Sequence, residues 1–84
     1  MSILHNIILN MKDYRTGNII KQLRREARAE QLTLQEQAEN IGVSTSTMYR
    51  RYKTGTLLLN DFILICQKLN ISPIQIIEKS EKSA

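Results

Sequence analysis

The chain has 84 residues, with 12 Lys and Arg, 8 Asp and Glu and one His, and its formal net charge is +4. A hydrophobic content of 42% and a charged content of 24% are typical of a globular domain and exclude a disordered tail. The single cysteine excludes an internal disulfide, and without any CxxC or Cys/His cluster there is no zinc site. Three Gly and one Pro argue against a sheet-rich fold. We therefore predict one small, soluble, all-α domain.

The first eleven residues carry an apolar stripe at helical spacing. Its members recur at i, i+1, i+4, i+5 and i+8 and are Ile3, Leu4, Ile7, Ile8 and Met11. A secretory signal is excluded because His5, Asn6 and Asn10 interrupt the stripe and no basic residue precedes it. Because an exposed stripe would favour aggregation, we predict an extra amphipathic helix within residues 1–16 that packs at a dimer interface. The alternative is a disordered extension.

The domain itself is predicted to span residues 17–79, followed by a polar tail at 80–84. Its first helix, about 19–31, begins after Gly17 with Asn18 as its N-cap. The apolar side of this helix consists of Ile19, Ile20, Leu23 and Ala27. Its basic side consists of Lys21, Arg24 and Arg28, at i, i+3 and i+7.

Two short helices follow in the middle of the chain. Thr33 and Glu36 have the spacing of a capping box, which predicts a helix of about 34–40. Gly42 stands where a helix ends in the left-handed conformation. Ser44 then caps a helix of about 45–53. The residues predicted to face the core from this second helix are Met48 and Tyr52.

The last two helices are marked by polar capping residues. Asn60 or Asp61 is predicted to cap the fourth helix, which buries Cys66 as a packed thiol. Ser72 caps the last helix and Pro73 takes its first position, so this helix covers about 73–79. The residues predicted to face inward from it are Ile74 and Ile77.

The charge is focused in two segments. Residues 12–28 hold six cations and two carboxylates, and residues 50–53 hold Arg50, Arg51 and Lys53. The intervening residues 29–49 carry −3, and the charges of residues 54–84 cancel. Focused positive charge suits a polyanionic partner, although a solvated helix face gives the same pattern.

The segment from Leu34 to Lys53 is typical of a helix-turn-helix, two helices joined by a short turn that contains glycine. In that motif the second helix enters the major groove of DNA. Short hydroxyl side chains can reach base edges, and an arginine can bond guanine in bidentate fashion. The residues predicted to contact bases are Thr45, Ser46, Tyr49 and Arg50.

Several motifs together make the chain resemble the lambda-repressor-like helix-turn-helix domains. The matching residues are Ile20, Leu23 and Arg24, then Leu32, Thr33, Glu36 and Ala38, then Gly42, Val43, Ser44, Ser46, Thr47, Met48 and Arg50, and finally Ile65, Leu69, Ile71, Ser72 and Ile77. The resemblance covers about residues 17–78. It implies a compact five-helix DNA-binding domain that works as a homodimer on pseudo-palindromic operators, in the cytoplasm of a prokaryote or from a phage or mobile element.

The chain departs from the family pattern at two places. Leu34 stands where the family has a Gln that contacts phosphate, and the link from Met48 to Gly55 is one residue longer than usual. With the charge pattern, the resemblance gives the residues predicted to contact phosphate: Arg24, Arg25, Arg28, Gln35, Ser44, Arg51, Lys53 and Thr54.

The sequence thus predicts a sequence-specific DNA-binding transcriptional regulator, a dimeric repressor. The alternative is a protein-interaction module on the same fold, resembling an antitoxin or an adaptor, which Leu34 and the N-terminal stripe favour. An enzyme is the weakest interpretation, because the chain has one His, one Cys, and neither a glycine-rich phosphate loop nor paired carboxylates. No cofactor, metal, small-molecule ligand or membrane is expected.

Overall fold

A computed structural model describes residues 16–83, which form five α-helices. They are α1 (Thr16–Ala29), α2 (Leu34–Ile41), α3 (Thr45–Thr54), α4 (Leu59–Leu69) and α5 (Pro73–Ser83). No strand occurs within residues 16–83, so the all-α prediction is confirmed for this part of the chain. The predicted N-terminal helix lies outside the described residues, and so do all members of its stripe: Ile3, Leu4, Ile7, Ile8 and Met11.

One apolar core is shared by all five helices. Its most deeply buried side chains are Leu23 of α1, Ala38 of α2, Met48 of α3, Ile65 and Cys66 of α4, and Ile76 of α5. Burial raises the pKa of the Cys66 thiol to about 11, so this side chain is neutral and acts as a packing residue. The predicted core positions of Met48, Tyr52 and Cys66 are confirmed.

Local hydrogen bonds fix the junction between α2 and α3. The Thr33 hydroxyl accepts from the Glu36 amide at 3.1 Å, and the Glu36 carboxylate accepts from the Thr33 amide at 3.0 Å. The predicted capping box is thus confirmed. Its backbone hydrogen bond from Thr33 lowers the pKa of Glu36. Gly42 ends α2 with a φ of 79°, and Ser44 caps α3 by accepting from the Thr47 amide at 3.1 Å. Three residues therefore turn the chain from α2 into α3.

Replacing Gly42 by alanine should lower the free energy of unfolding by about 1–2 kcal/mol, because a Cβ disfavours its left-handed backbone. No atom lies within 4 Å of that Cβ, so the cost belongs to the backbone alone. Gly17→Ala is the matched control, since Gly17 is helical and equally open. We expect it to stabilise the protein by about 0.5–1 kcal/mol in urea unfolding. Equal effects of the two substitutions would contradict this explanation.

The start of α1 differs from the prediction. Gly17 and Asn18 both lie inside the helix, so the predicted N-cap at Asn18 is wrong. A helical glycine costs only about 1 kcal/mol, which the burial of Ile20 and Leu23 outweighs. At its other end α1 stops at Ala29, and Gln31 takes the left-handed conformation with a φ of 58°.

The start of α4 was also predicted wrongly. The helix begins at Leu59, and neither Asn60 nor Asp61 is its N-cap. Asp61 instead lies in the first turn, where Oδ2 accepts from the Leu58 amide at 3.1 Å and from Arg51 Nη1 at 2.7 Å. The carboxylate thus satisfies the helix terminus from inside the helix while it neutralises a residue of α3.

The buried face of α5 differs from the predicted one. Ile74 is 67% exposed and Ile76 is fully buried, whereas Ile77 is half-buried as expected. In this register α5 also contacts α1, where Lys79 Nζ lies 2.8 Å from Glu26 Oε1. That hydrogen bond lowers the pKa of Glu26. Buried Ser80 lies one turn after Ile76, and α5 continues to Ser83, beyond the predicted end near Lys79.

Candidate nucleic-acid interface

A basic cleft lies between the N-terminal half of α1 and the C-terminal end of α3. It is lined by Gly17, Ile20, Lys21, Arg24, Tyr52, Lys53, Thr54 and Gly55. Three of these residues are cations and none is acidic. Lys21 and Arg24 come from the first positive segment of the chain and Lys53 comes from the second. Folding therefore brings together two charged segments that are far apart in the sequence.

Arg24 is held on the ring of Tyr52. Its guanidinium carbon lies 5.1 Å from the ring centroid, a cation–π distance. The Tyr52 hydroxyl donates to Gln37 Oε1, and Gln37 Nε2 donates to the Leu32 carbonyl at 3.1 Å. Burial raises the pKa of Tyr52, so the ring remains neutral at physiological pH. The result is a fixed aromatic platform beneath a half-buried arginine.

A second cleft adjoins the first across this arginine and tyrosine. It is lined by Arg24, Arg28, Leu32, Thr33, Leu34, Gln37 and Tyr52. Lys21, Arg24 and Arg28 therefore form a row along α1 that passes both clefts. Within residues 16–83, none of these three cations has a carboxylate at ion-pair distance. Leu34 also lines the second cleft, and its apolar side chain offers no hydrogen bond there.

The outer face of α3 continues from the basic cleft. Thr45, Ser46 and Arg50 are exposed, and Tyr49 is 47% exposed. Lys53 joins the two regions, because it lines the cleft while its Nζ lies 5.7 Å from the Tyr49 ring centroid. All four residues predicted to contact bases thus lie on one exposed face of α3, next to the cations of the basic cleft.

Two of the predicted phosphate contacts, Thr54 and Ser44, have hydroxyl groups that hydrogen-bond within the protein. Thr54 lines the basic cleft, but its hydroxyl donates to the Arg50 carbonyl at 2.7 Å. The Ser44 hydroxyl is occupied by the cap of α3 and also donates to Thr47 Oγ1 at 2.9 Å. Both hydroxyl groups therefore already have partners in the protein.

Four of the predicted phosphate contacts line neither cleft: Ser44, Arg51, Arg25 and Gln35. Arg25 donates to Gln22 Oε1 at 3.5 Å and lines a separate hollow with Asn18, Lys21 and Ser80. Gln35 is exposed, and its amide donates to Glu39 Oε1 at 3.2 Å. The structure therefore does not group Arg25 and Gln35 with Arg24, although Arg25 follows it directly in the chain.

Arg51 differs from its charged neighbours on α3. Its Nη1 lies 2.7 Å from Asp61 Oδ2, in an ion pair whose side chains are 23% and 6% exposed respectively. This contact neutralises Arg51 and ties the C-terminal end of α3 to the N-terminal end of α4. Among the cations predicted to contact phosphate, Arg51 therefore differs from Arg24, Arg28 and Lys53 in having a carboxylate partner within residues 16–83.

Sequence reasoning left Lys21 out of the predicted contacts, although the structure places it in the basic cleft. The signal was present, because Lys21 shares the i, i+3, i+7 spacing of Arg24 and Arg28. The role of Tyr52 as the platform for Arg24 was also missed. No local pattern reveals it, since the contact joins residues of α1 and α3.

The acidic residues of α2 lie on a different surface. Glu36 and Glu39 line a shallow depression with Asn40 and with Lys68 of α4. None of these residues lines either basic cleft. The carboxylates of α2 therefore lie away from the two clefts that the cations line.

Comparisons with family models, with curated proteins and with solved structures give no match. Within residues 16–83, no group of three or more His, Cys, Asp or Glu side chains is arranged to hold a metal ion. None of the described helices has the length and apolar character needed to span a membrane.

Proposed function

We propose that the protein is a sequence-specific, double-stranded DNA-binding transcriptional regulator of the helix-turn-helix class. One observation carries the proposal: cations of α1 and α3 line a cleft without acidic residues, and this cleft continues into the exposed polar face of α3. The short turn at Gly42 and the close packing of α2 and α3 support the same class.

In this proposal α3 enters the major groove. A helix of 10 residues is about 15 Å long, enough to place its N-terminal half against several base pairs. Thr45 and Ser46 are short enough to let the helix approach the base edges. Arg50 bonds O6 and N7 of a guanine, and Tyr49 contacts a thymine methyl group.

Phosphate groups occupy the two basic clefts. Lys21, Arg24 and Lys53 neutralise the backbone on one side of the groove, and Arg28 extends this contact. Arg24 loses little freedom on binding because the Tyr52 ring already orients it. Arg51 is not among the phosphate contacts, since Asp61 neutralises it.

The regulator acts as a homodimeric repressor on a pseudo-palindromic operator. One copy of α3 reads one half-site, so two copies related by a twofold axis read two half-sites about 34 Å apart. Selection of bound sequences from a random duplex library measures this spacing directly. Enriched sequences with a single unrepeated half-site would contradict the dimeric part of the proposal.

The salt dependence of binding tests the function itself. Four cations on phosphate predict that log K falls with log salt with a slope of about −3 to −4 on random duplex. Fluorescence anisotropy between about 50 and 200 mM salt measures this slope. Absent or salt-insensitive binding would contradict the proposal and favour the protein-interaction module.

Arg50→Ala tests base reading within the same assay. We expect it to reduce the preference for the selected operator over random duplex by about 1–3 kcal/mol and to change random-duplex affinity less. Arg25→Ala is the matched control, because Arg25 is an exposed arginine outside both clefts. An equal loss of preference in both variants would contradict the role of Arg50.

A further inference from the structure

An apolar groove lies away from the basic clefts, between the N-terminal parts of α1 and α4 and the middle of α5. Its walls include Thr16, Ile19, Leu57, Leu59, Phe62 and Ile77, and no charged residue lines it. Leu59 is 76% exposed in residues 16–83, more than any other large apolar side chain there. Nothing in the proposed DNA contacts explains an uncharged groove with a leucine at its edge.

The chain itself provides an occupant of matching chemistry. Fifteen residues precede Thr16, and Thr16 is part of the groove wall. Residues 1–11 contain no Asp, Glu, Lys or Arg, and they carry the five large apolar side chains of the N-terminal stripe. Residues 12–15 can span up to about 13–14 Å, which is enough for the chain to turn back from α1.

We propose that residues 3–11 pack into this groove within the same chain and cover Leu59, Phe62 and Ile77. Attachment at the groove wall gives the segment a high effective concentration there, far above that of a second molecule in dilute solution. This placement of the N-terminal stripe, within its own chain, differs from the one predicted from the sequence, in which the stripe packs at an interface between two subunits. The proposal is independent of DNA binding, since no residue of the groove except Ile20 also lines a basic cleft.

Paired substitutions in the full-length chain test this contact. Leu59→Gln should lower the midpoint of thermal unfolding by about 4–8 °C, because it places a polar group in a covered groove. The matched control is Ile74→Gln: Ile74 is 67% exposed on α5 but does not line the groove, so its midpoint should change by less than about 2 °C. Ile7→Gln should resemble Leu59→Gln, and the double variant should lose less than the sum.

A designed disulfide distinguishes the same chain from a partner. Ile8→Cys combined with Leu59→Cys, oxidised in dilute solution, should give a crosslinked species of monomeric mass on a non-reducing gel. Buried Cys66 does not compete, because burial raises its pKa and keeps the thiol protonated. A crosslinked dimer would overturn the proposal, and so would equal unfolding midpoints for the Leu59 and Ile74 variants.

Discussion

Replacing Arg24 by glutamine should weaken binding to every DNA duplex by about 10- to 100-fold, the largest loss we expect from one residue of the interface. Arg24 is shared by both basic clefts, and the Tyr52 ring holds it in place. A hydrogen bond to a charged group contributes about 1.5–3 kcal/mol, which corresponds to this range. The slope of log K against log salt should also become shallower by about 0.9, the value for one phosphate contact.

Lys68→Gln is the matched control for this experiment, since it removes the same net charge from α4, beside Glu36 and Glu39. We expect it to change affinity by less than about threefold, because the clefts remain intact and exposed charges further away are screened. If Lys68→Gln and Arg24→Gln weaken binding equally, only the net charge matters and the cleft is not the phosphate site. The hydrogen bond between Tyr52 and Gln37 remains in both variants, so urea unfolding should differ by no more than about 1 kcal/mol, the contribution of the cation–π contact of Arg24.

Features of the fold that depend on neighbouring residues were predictable from the sequence. The capping box of Thr33 and Glu36 was predicted and is confirmed, because both of its hydrogen bonds join residues three apart. The predicted cap of the last helix is likewise local, since the Ser72 hydroxyl accepts from the Ile74 amide at 3.2 Å. The left-handed turn at Gly42 was also predictable, since glycine adopts it without steric cost.

Features that depend on distant residues were not predictable in this way. Asp61 was predicted as an N-cap because of its residue type, whereas its contact with Arg51 comes from another helix. Ile74, Ile76 and Ile77 leave the buried face of α5 ambiguous, and packing against α1 selects Ile76. The same distinction applies to the candidate site. The row of cations on α1 was predictable from helical spacing, whereas its proximity to Lys53 was not, because Lys53 lies on another helix.

Asp61→Ala should lower the free energy of unfolding by about 3 kcal/mol, the largest loss we expect from one polar substitution. Its Oδ2 accepts from Arg51 Nη1 and from the Leu58 amide, and its side chain is only 6% exposed. The substitution leaves a partly buried guanidinium without its counter-charge and a helix N-terminus without its acceptor. Breaking a buried ion pair costs about 3–5 kcal/mol, and we expect a value at the lower end because the Arg51 side chain is 23% exposed.

Asp61→Asn is the control, because its amide oxygen can still accept from Leu58 while the charge is lost. We expect about half the effect of Asp61→Ala in urea unfolding. A cost below about 1 kcal/mol for Asp61→Ala would mean that the pair behaves like a solvated surface ion pair. Arg51→Gln separates fold from site: at salt and temperature where this variant remains folded, its salt slope on random duplex should be unchanged, because Asp61 already neutralises Arg51. Arg24→Gln should do the reverse, with a shallower slope and a loss of stability of no more than about 1 kcal/mol. Arg24→Gln and Arg51→Gln together therefore test which arginine binds DNA and which one holds α3 in place.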